Sequence, residues 1–252
     1  RGLVRSRGLG DVYKRQSEGR AIVSKEELGN GRYGYIDKLG SYVINPQFDE
    51  ASKFSEGLAK VKIGEKWGYM DLLGKMLINP QFEECSDFSG TLARVSIGEK
   101  WGYIDRYGKV TINPQFDSAS DFSEGLAGVR VGSKYGYINK TGQFAINPQF
   151  DEIKNFSEGL ASVKIGQKWG YINKNGKYVI NPEYDDTGAF SEGLASVKSL
   201  EKWYYIDKTG KMIVEPKFDS ADKFSQGLAR VEIADKLGYI DKIGRYVWQP
   251  TK

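Results

Sequence analysis

Lys100-Trp101-Gly102-Tyr103-Ile104-Asp105 returns in varied form every 34 residues along the chain. Its tyrosine has counterparts at Tyr35, Tyr69, Tyr137, Tyr171, Tyr205 and Tyr239. A period of this length marks a solenoid, propeller or other array, in which each unit packs mainly on its neighbours. The 252 residues therefore count units, of which there are seven, rather than domains.

Around this stretch each unit reads as three strands. In the third unit these are 92–97, 100–105 and 109–113, joined by turns at Gly98-Glu99 and at 106–108. Glycine first in a two-residue loop predicts a type II′ hairpin, and Asp105-x-x-Gly108 predicts a type I turn closed by glycine in the left-handed region. Asp105, Asn139 and their equivalents then cap turns. Calcium ligation would need more oxygen donors than one carboxylate per turn.

With Ile97 opposite Lys100 and Ile104 opposite Val110, one face collects Ala93, Val95, Ile97, Gly102, Ile104, Val110 and Ile112. The other collects Arg94, Ser96, Trp101, Tyr103, Asp105, Thr111 and Asn113, and the Thr111 position is apolar elsewhere, as at Val43, Leu77 and Val179. Both faces have something to bury, as expected of sheets sandwiched between neighbours. Pro114 and its equivalents are expected to stop the third strand, since proline cannot donate to a ladder. The linker that follows carries Phe116 and Phe122, expected to plug the gap between sheets, and Cys85, expected as a small buried residue rather than a reactive thiol.

Residues 1–16 match no part of the repeat and read as a non-native leader, a translated cloning or assembly scar; 17–252 reads as one repeat domain, possibly truncated at its N-terminus. The distance from Ser17 to Tyr33 is four residues longer than from Ser55 to Trp67, which lengthens the first hairpin. The leader also accounts for the net charge of +4, leaving 32 basic and 32 acidic residues in the repeats. Nucleic-acid binding, which depends on a concentrated positive field, is thereby disfavoured. The chain has no histidine and one cysteine, so triads, the usual zinc sites and internal disulfides are excluded in their common forms. No apolar run is long enough to span a bilayer as a helix. No cofactor is called for, and the compartment is not indicated.

Residues that recur in every unit are economically read as structural, so the expectation is a protein without catalytic residues. Carboxylate pairs such as Asp117 with Glu124 are assigned to turns and linkers. The candidate binding residues form a ladder: Trp67, Trp101, Tyr135, Trp169 and Trp203, each following a lysine such as Lys66, Lys100 or Lys168. The register places Lys62 across from Trp67 and Lys164 across from Trp169, where the cations can lie on the indoles. Two functions follow: a noncatalytic scaffold that grips a protein partner or, as the alternative, a glycan or cell-wall binding module that uses the Trp/Tyr ladder.

Trp67-Gly68, Trp101-Gly102 and Trp169-Gly170, with Tyr33-Gly34, Tyr135-Gly136 and Leu237-Gly238 in matching places, give the chain a family likeness. It resembles the bacterial WG-repeat, or KWG, family over 17–252. The resemblance implies a β-rich tandem array and brings no catalytic residues with it. Departures occur at Trp203-Tyr204, where Tyr replaces Gly, and at Gly90-Thr91. The expected architecture is all-β: three-stranded antiparallel meanders stacked in an open superhelical array, with a closed seven-bladed, propeller-like ring as the alternative.

Overall fold

A computed structural model describes residues 16–27 and 30–251, so the leader, except Gln16, lies outside the described residues. Every regular element among them is a strand, and the chain divides into two compact units between Asp121 and Phe122.

The first unit holds three antiparallel sheets of four strands each. They comprise Gln16–Ser17, Arg20–Glu27, Asn30–Ile36 and Tyr42–Phe48; Glu50–Ala51, Leu58–Ile63, Lys66–Asp71 and Met76–Phe82; and Glu84–Cys85, Leu92–Ile97, Lys100–Asp105 and Val110–Phe116. The second unit repeats the pattern from Leu126–Val131, Lys134–Asn139 and Phe144–Phe150 to the last sheet, which ends with Tyr246–Thr251. The extra residues of the first repeat extend its hairpin until Glu27 faces Asn30.

The meander has one strand more than expected. Two linker residues, such as Glu84–Cys85, pair with the first long strand, Val95 facing Cys85 and Ser96 facing Glu84. The last strand also runs through its proline instead of stopping there. Trp101 faces Phe116 while Tyr103 faces Ile112, so the last strand carries two extra residues between these partners. The bulge around Pro114 needs no ladder donor, which removes the objection to proline. It also overturns the expected sorting of faces: Ile112 lies with Tyr103, and Ile97 is 41% exposed.

This bulge explains the glycine after Trp67, Trp101 and Trp169, and after Tyr33 and Tyr135. A Cβ on Gly102 would stand 2.5 Å from the Ile112 carbonyl oxygen and 2.6 Å from the Pro114 nitrogen. Gly34, Gly68, Gly136 and Gly170 meet the same obstruction. In the sixth repeat Tyr204 occupies this place, buried, with its ring against that of Tyr184.

Two turns also differ from expectation or add to it. Gly98 and Glu99 both have positive φ, +57° and +64°, which makes this hairpin type I′ rather than II′. The linker's Glu56-Gly57 is a second I′-like turn with both φ positive, closing a bridge between Ser55 and Leu58.

Burial sits between successive sheets. Tyr35, Ile44 and Phe48 of the first sheet pack on Phe54, Ala59, Val61 and Met70 of the second. The motif tyrosine is the centre of each such layer: Tyr69, Tyr137, Tyr171 and Tyr205 are at most 1% exposed. Each meets a linker phenylalanine edge-on, as Tyr69 does Phe88 at 4.9 Å, an arrangement contributing about 0.5–1.5 kcal/mol beyond area burial. Each hydroxyl donates to a backbone carbonyl 17 residues on, Tyr137 to Lys154 and Tyr171 to Gly188 at 2.7 Å, so no buried donor is left unpaired there.

Candidate functional site: the hairpin end of the sheets

The two-residue hairpins lie at one end of each sheet and carry the predicted ladder. In the first unit Trp67 and Trp101 are half-buried. In the second, Tyr135 and Trp203 are half-buried and Trp169 is buried, only 6% exposed.

The cations over the indoles are not the lysines that precede them. A strand sends neighbouring side chains to opposite faces, so Lys66 and Trp67 part company. Lys66 instead pairs with Glu83 at 2.7 Å, Lys168 with Asp185 at 2.6 Å and Lys134 with Asp151 at 2.6 Å, and Lys100 pairs with Asp117. Asp151 also accepts from Gly166 N at 2.7 Å, so one carboxylate holds a lysine and the next hairpin turn together. The Lys134 hydrogen bond, first, and that amide hold the Asp151 carboxyl below its ordinary range. Asp185 is lowered in the same way, chiefly by Lys168.

Over Trp67 lie Lys62, as the register predicts, at 5.7 Å and Lys60 at 5.4 Å; over Trp169 lie Lys164 at 5.7 Å and Lys154 at 4.7 Å. Over Trp101 lies the Arg94 guanidinium at 5.0 Å. Lys60, Arg94 and Lys154 were not singled out in the sequence. Their role is common to all three: each also donates to a linker carbonyl, Lys60 to Cys85 at 3.1 Å, Arg94 to Ala119 at 2.6 Å and Lys154 to Thr187. The cation thus ties an indole to the following linker. Lys60 and Arg94, seven residues before their tryptophans, were findable from that spacing; Lys154 comes from the linker and was not.

In the second to fifth repeats the first long strand ends at the hairpin in a branched aliphatic residue that pairs with the motif lysine, as Ile63 does with Lys66 and Ile97 with Lys100, and so lies on the other face from the ladder aromatic; in the sixth repeat Ser199 takes this place. Ile63 and Ile97 in the first unit are 46% and 41% exposed, and Val131 and Ile165 in the second are 46% and 42% exposed. Each unit therefore shows a pair of apolar side chains at a fixed repeat position, bordered by lysine–carboxylate pairs.

Cys85 lies half-buried in its linker, and burial pushes its thiol up to about 11. Among the described residues no group of three or more His, Cys, Asp or Glu side chains is placed to hold a metal ion, and no helix is long and apolar enough to cross a membrane.

A model of the WG containing repeat matches the chain six times, over residues 33–67, 67–101, 101–135, 135–169, 169–203 and 205–236. The chain belongs to the WG-repeat family. Each match but the last runs from the ladder aromatic of one WG repeat to that of the next. Among solved structures, this WG-repeat chain is similar to one described as a eukaryotic initiation factor, with a TM-score of 0.62 at 11% identity, covering 92% of this chain and 76% of the other. A Kluyveromyces lactis Hsv2 structure gives 0.53 at 10% identity, covering 93% and 95%. At such identities the likeness is one of fold alone. No curated protein matches the chain.

Proposed function

We propose that this WG-repeat chain is a noncatalytic scaffold that binds a protein partner along the hairpin ends of its sheets. The observation that carries the reading is the half-exposed aliphatic pair of each unit, Ile63 with Ile97 and Val131 with Ile165, bordered by ion pairs such as Lys66–Glu83 and Lys168–Asp185. An apolar centre inside a polar rim is the anatomy of a protein–protein contact. The motif residues are consumed in joining repeats, which leaves these surface positions to choose the partner.

The test is a photo-crosslinking amino acid at Ile97 or Ile165 in the producing cell, with the same probe at Thr209, on the opposite turns, as control. A discrete protein adduct from the hairpin positions, absent from the control, supports the scaffold. The absence of any specific adduct counts against it.

Half-burial of Trp67, Trp101 and Trp203 favours a second reading, stacking on a glycan. Against it, lysine or arginine already covers Trp67 and Trp101. Co-sedimentation with insoluble peptidoglycan and polysaccharides separates the two. Saturable retention, lost in a folded variant with Trp67, Trp101 and Trp169 changed to Ala, would put the glycan module first.

A further inference from the structure

Linker glutamates staple each repeat to the next. In the first unit Glu18 accepts from Gly57 N at 3.0 Å and Glu56 from Gly90 N at 2.8 Å. In the second unit Glu124, Glu158 and Glu192 accept from Gly159, Gly193 and Gly227 N, each at 3.0 Å. A lysine from the following turn closes on the same carboxylate there: Lys174 on Glu124 at 3.1 Å, Lys208 on Glu158 at 3.1 Å and Lys242 on Glu192 at 3.0 Å. A glycine amide and a lysine 15 residues after it, as Gly193 and Lys208 are, thus form a clamp for one carboxylate.

The first repeat carries the same two groups without the glutamate. Gly19 and Lys38 stand 19 residues apart, the 15 of the clamp plus the four extra residues of the lengthened hairpin. Glu18 and Gly19 have φ of +50° and +76°, close to the +54° and +87° of Glu192 and Gly193, so the Gly19 amide is aimed as the clamping amides are. Lys38 stands beside it, with a Cβ at Gly19 falling 3.7 Å from Lys38 Cε. Among the described residues no acceptor meets Gly19 N and no carboxylate pairs with Lys38. Both line a cavity of about 260 Å³ walled by residues 17–21 with Asp37 and Lys38.

The charges of this cavity suit an anion. Its own carboxylates are engaged elsewhere, Glu18 with Gly57 N, and Asp37 Oδ1 with Leu39 N at 2.8 Å and Ser41 N at 2.9 Å. The clamp of Gly193 and Lys208 has acids at the same repeat positions, Glu192 bonded to Gly227 N and Asp207 to Thr209 N, and still holds Glu158. Burial raises the Glu158 carboxyl, yet Lys208 and the Gly193 amide leave it below its ordinary range, so the clamp favours the ionised form. The first repeat adds a cation to this pattern. Arg20 replaces the leucine of other repeats, such as Leu58 and Leu194, and its Nε is buried without a partner while Nη1 donates to Gly19 O at 3.4 Å.

We propose that the Gly19 amide and Lys38, with Arg20 adding positive charge, form a binding site for a carboxylate. The source that fits is a glutamate on an extended protein segment, as Glu158 is in Phe156-Ser157-Glu158-Gly159. An amide and an ammonium converging on one carboxylate make charge-assisted hydrogen bonds. A second copy stacked end to end would not supply the anion, because Gln226 holds the glutamate's place in the last linker. Binding here uses nothing of the hairpin end.

The test is an NMR titration of the nitrogen-15-labelled full chain at neutral pH with acetyl-Phe-Ser-Glu-Gly-amide, with the same peptide carrying glutamine for glutamate, or with sodium acetate. The Gly19 amide proton is expected to move downfield saturably with the glutamate peptide, while that of Gly57, already bonded to Glu18, stays in place. The glutamine peptide is expected to bind roughly tenfold more weakly, as is the glutamate peptide to Lys38→Met. Lys38→Arg should keep most of the binding, and circular dichroism confirms the fold of both variants. Acetate binding as tightly as the peptide supports the carboxylate site and makes a small acid its ligand. A Gly19 amide unmoved by peptide and acetate alike overturns the proposal, as does equal binding of the two peptides or undiminished binding by Lys38→Met.

Discussion

Lys154 and Ser162 form a cross-strand pair, Lys154 N donating to Ser162 O at 2.9 Å, in which the cation has changed sides. The equivalent pairs are Ser52 with Lys60 and Ser86 with Arg94, where the small residue is on the linker and the cation on the long strand. The cation covers the indole in both arrangements. Its place over the ring, rather than its place in the sequence, is what these three repeats share.

Lys154→Met should therefore expose Trp169 and leave the Thr187 carbonyl without its donor. Loss of the cation–π contact and hydrogen bond is expected to cost about 1–2 kcal/mol. Fluorotryptophan NMR, which resolves the five indoles, should move the Trp169 line and leave that of Trp67 in place. Unmoved Trp169 would contradict the assigned role.

Gly102→Ala places a methyl group 2.5 Å from a backbone oxygen that cannot swing away. A loss of about 2–4 kcal/mol in urea unfolding is expected. Gly98→Ala meets no heavy atom within 4 Å and carries only the strain of φ +57°, so about 1 kcal/mol is expected. Equal effects would mean that turn conformation, not the bulge over Gly102, sets the requirement.

Acid should loosen the second unit through its glutamate clamps. Burial pushes the Glu158 carboxyl up, but the Lys208 hydrogen bond and the Gly193 amide outweigh it and leave the group below its ordinary 4.5. Glu124 is lowered likewise, with Lys174 and Gly159 as partners. A carboxyl depressed in the folded state contributes its stability above the unfolded pKa and loses it as pH falls through the folded value. The melting temperature is expected to hold from neutrality to about pH 5 and then to fall. Glu158→Gln should melt lower at neutral pH and show a smaller decline in acid.

The Cys85 thiol, pushed up to about 11 by burial, should label slowly with disulfide reagents at pH 8, where roughly one thiol in a thousand is ionised. Unfolding in urea should accelerate the reaction at least a hundredfold. Fast labelling of the native protein would contradict the linker's packing.

Hairpin register, turn capping by Asp105 and its kin, and the repeat itself were legible because each is written in local chemistry at fixed spacing. The passage of the last strand through Pro114 was not. Nothing local signals that two residues bulge over Gly102, since the glycine and the proline meet only across strands. Lys62 over Trp67 followed from pairing alone, whereas Lys154 over Trp169 depended on a linker whose path no turn residue fixes. Exposure of the ladder was also beyond reach, because half-burial of Trp101 and burial of Trp169 arise from what neighbouring chain segments lay on identical motifs.

The joints between repeats are addressed by counting along the chain. Tyr137 reaches 17 residues on, Ser157 reaches Phe190, 33 on, and Glu158 reaches Gly193, 35 on. Deleting or duplicating one whole 34-residue unit within a run restores every such address, while deleting a single linker residue misdirects all of them at that joint. Unequal crossing-over between gene copies of the repeat is therefore the mutation this architecture tolerates, and small insertions should be confined to hairpins like the lengthened first one.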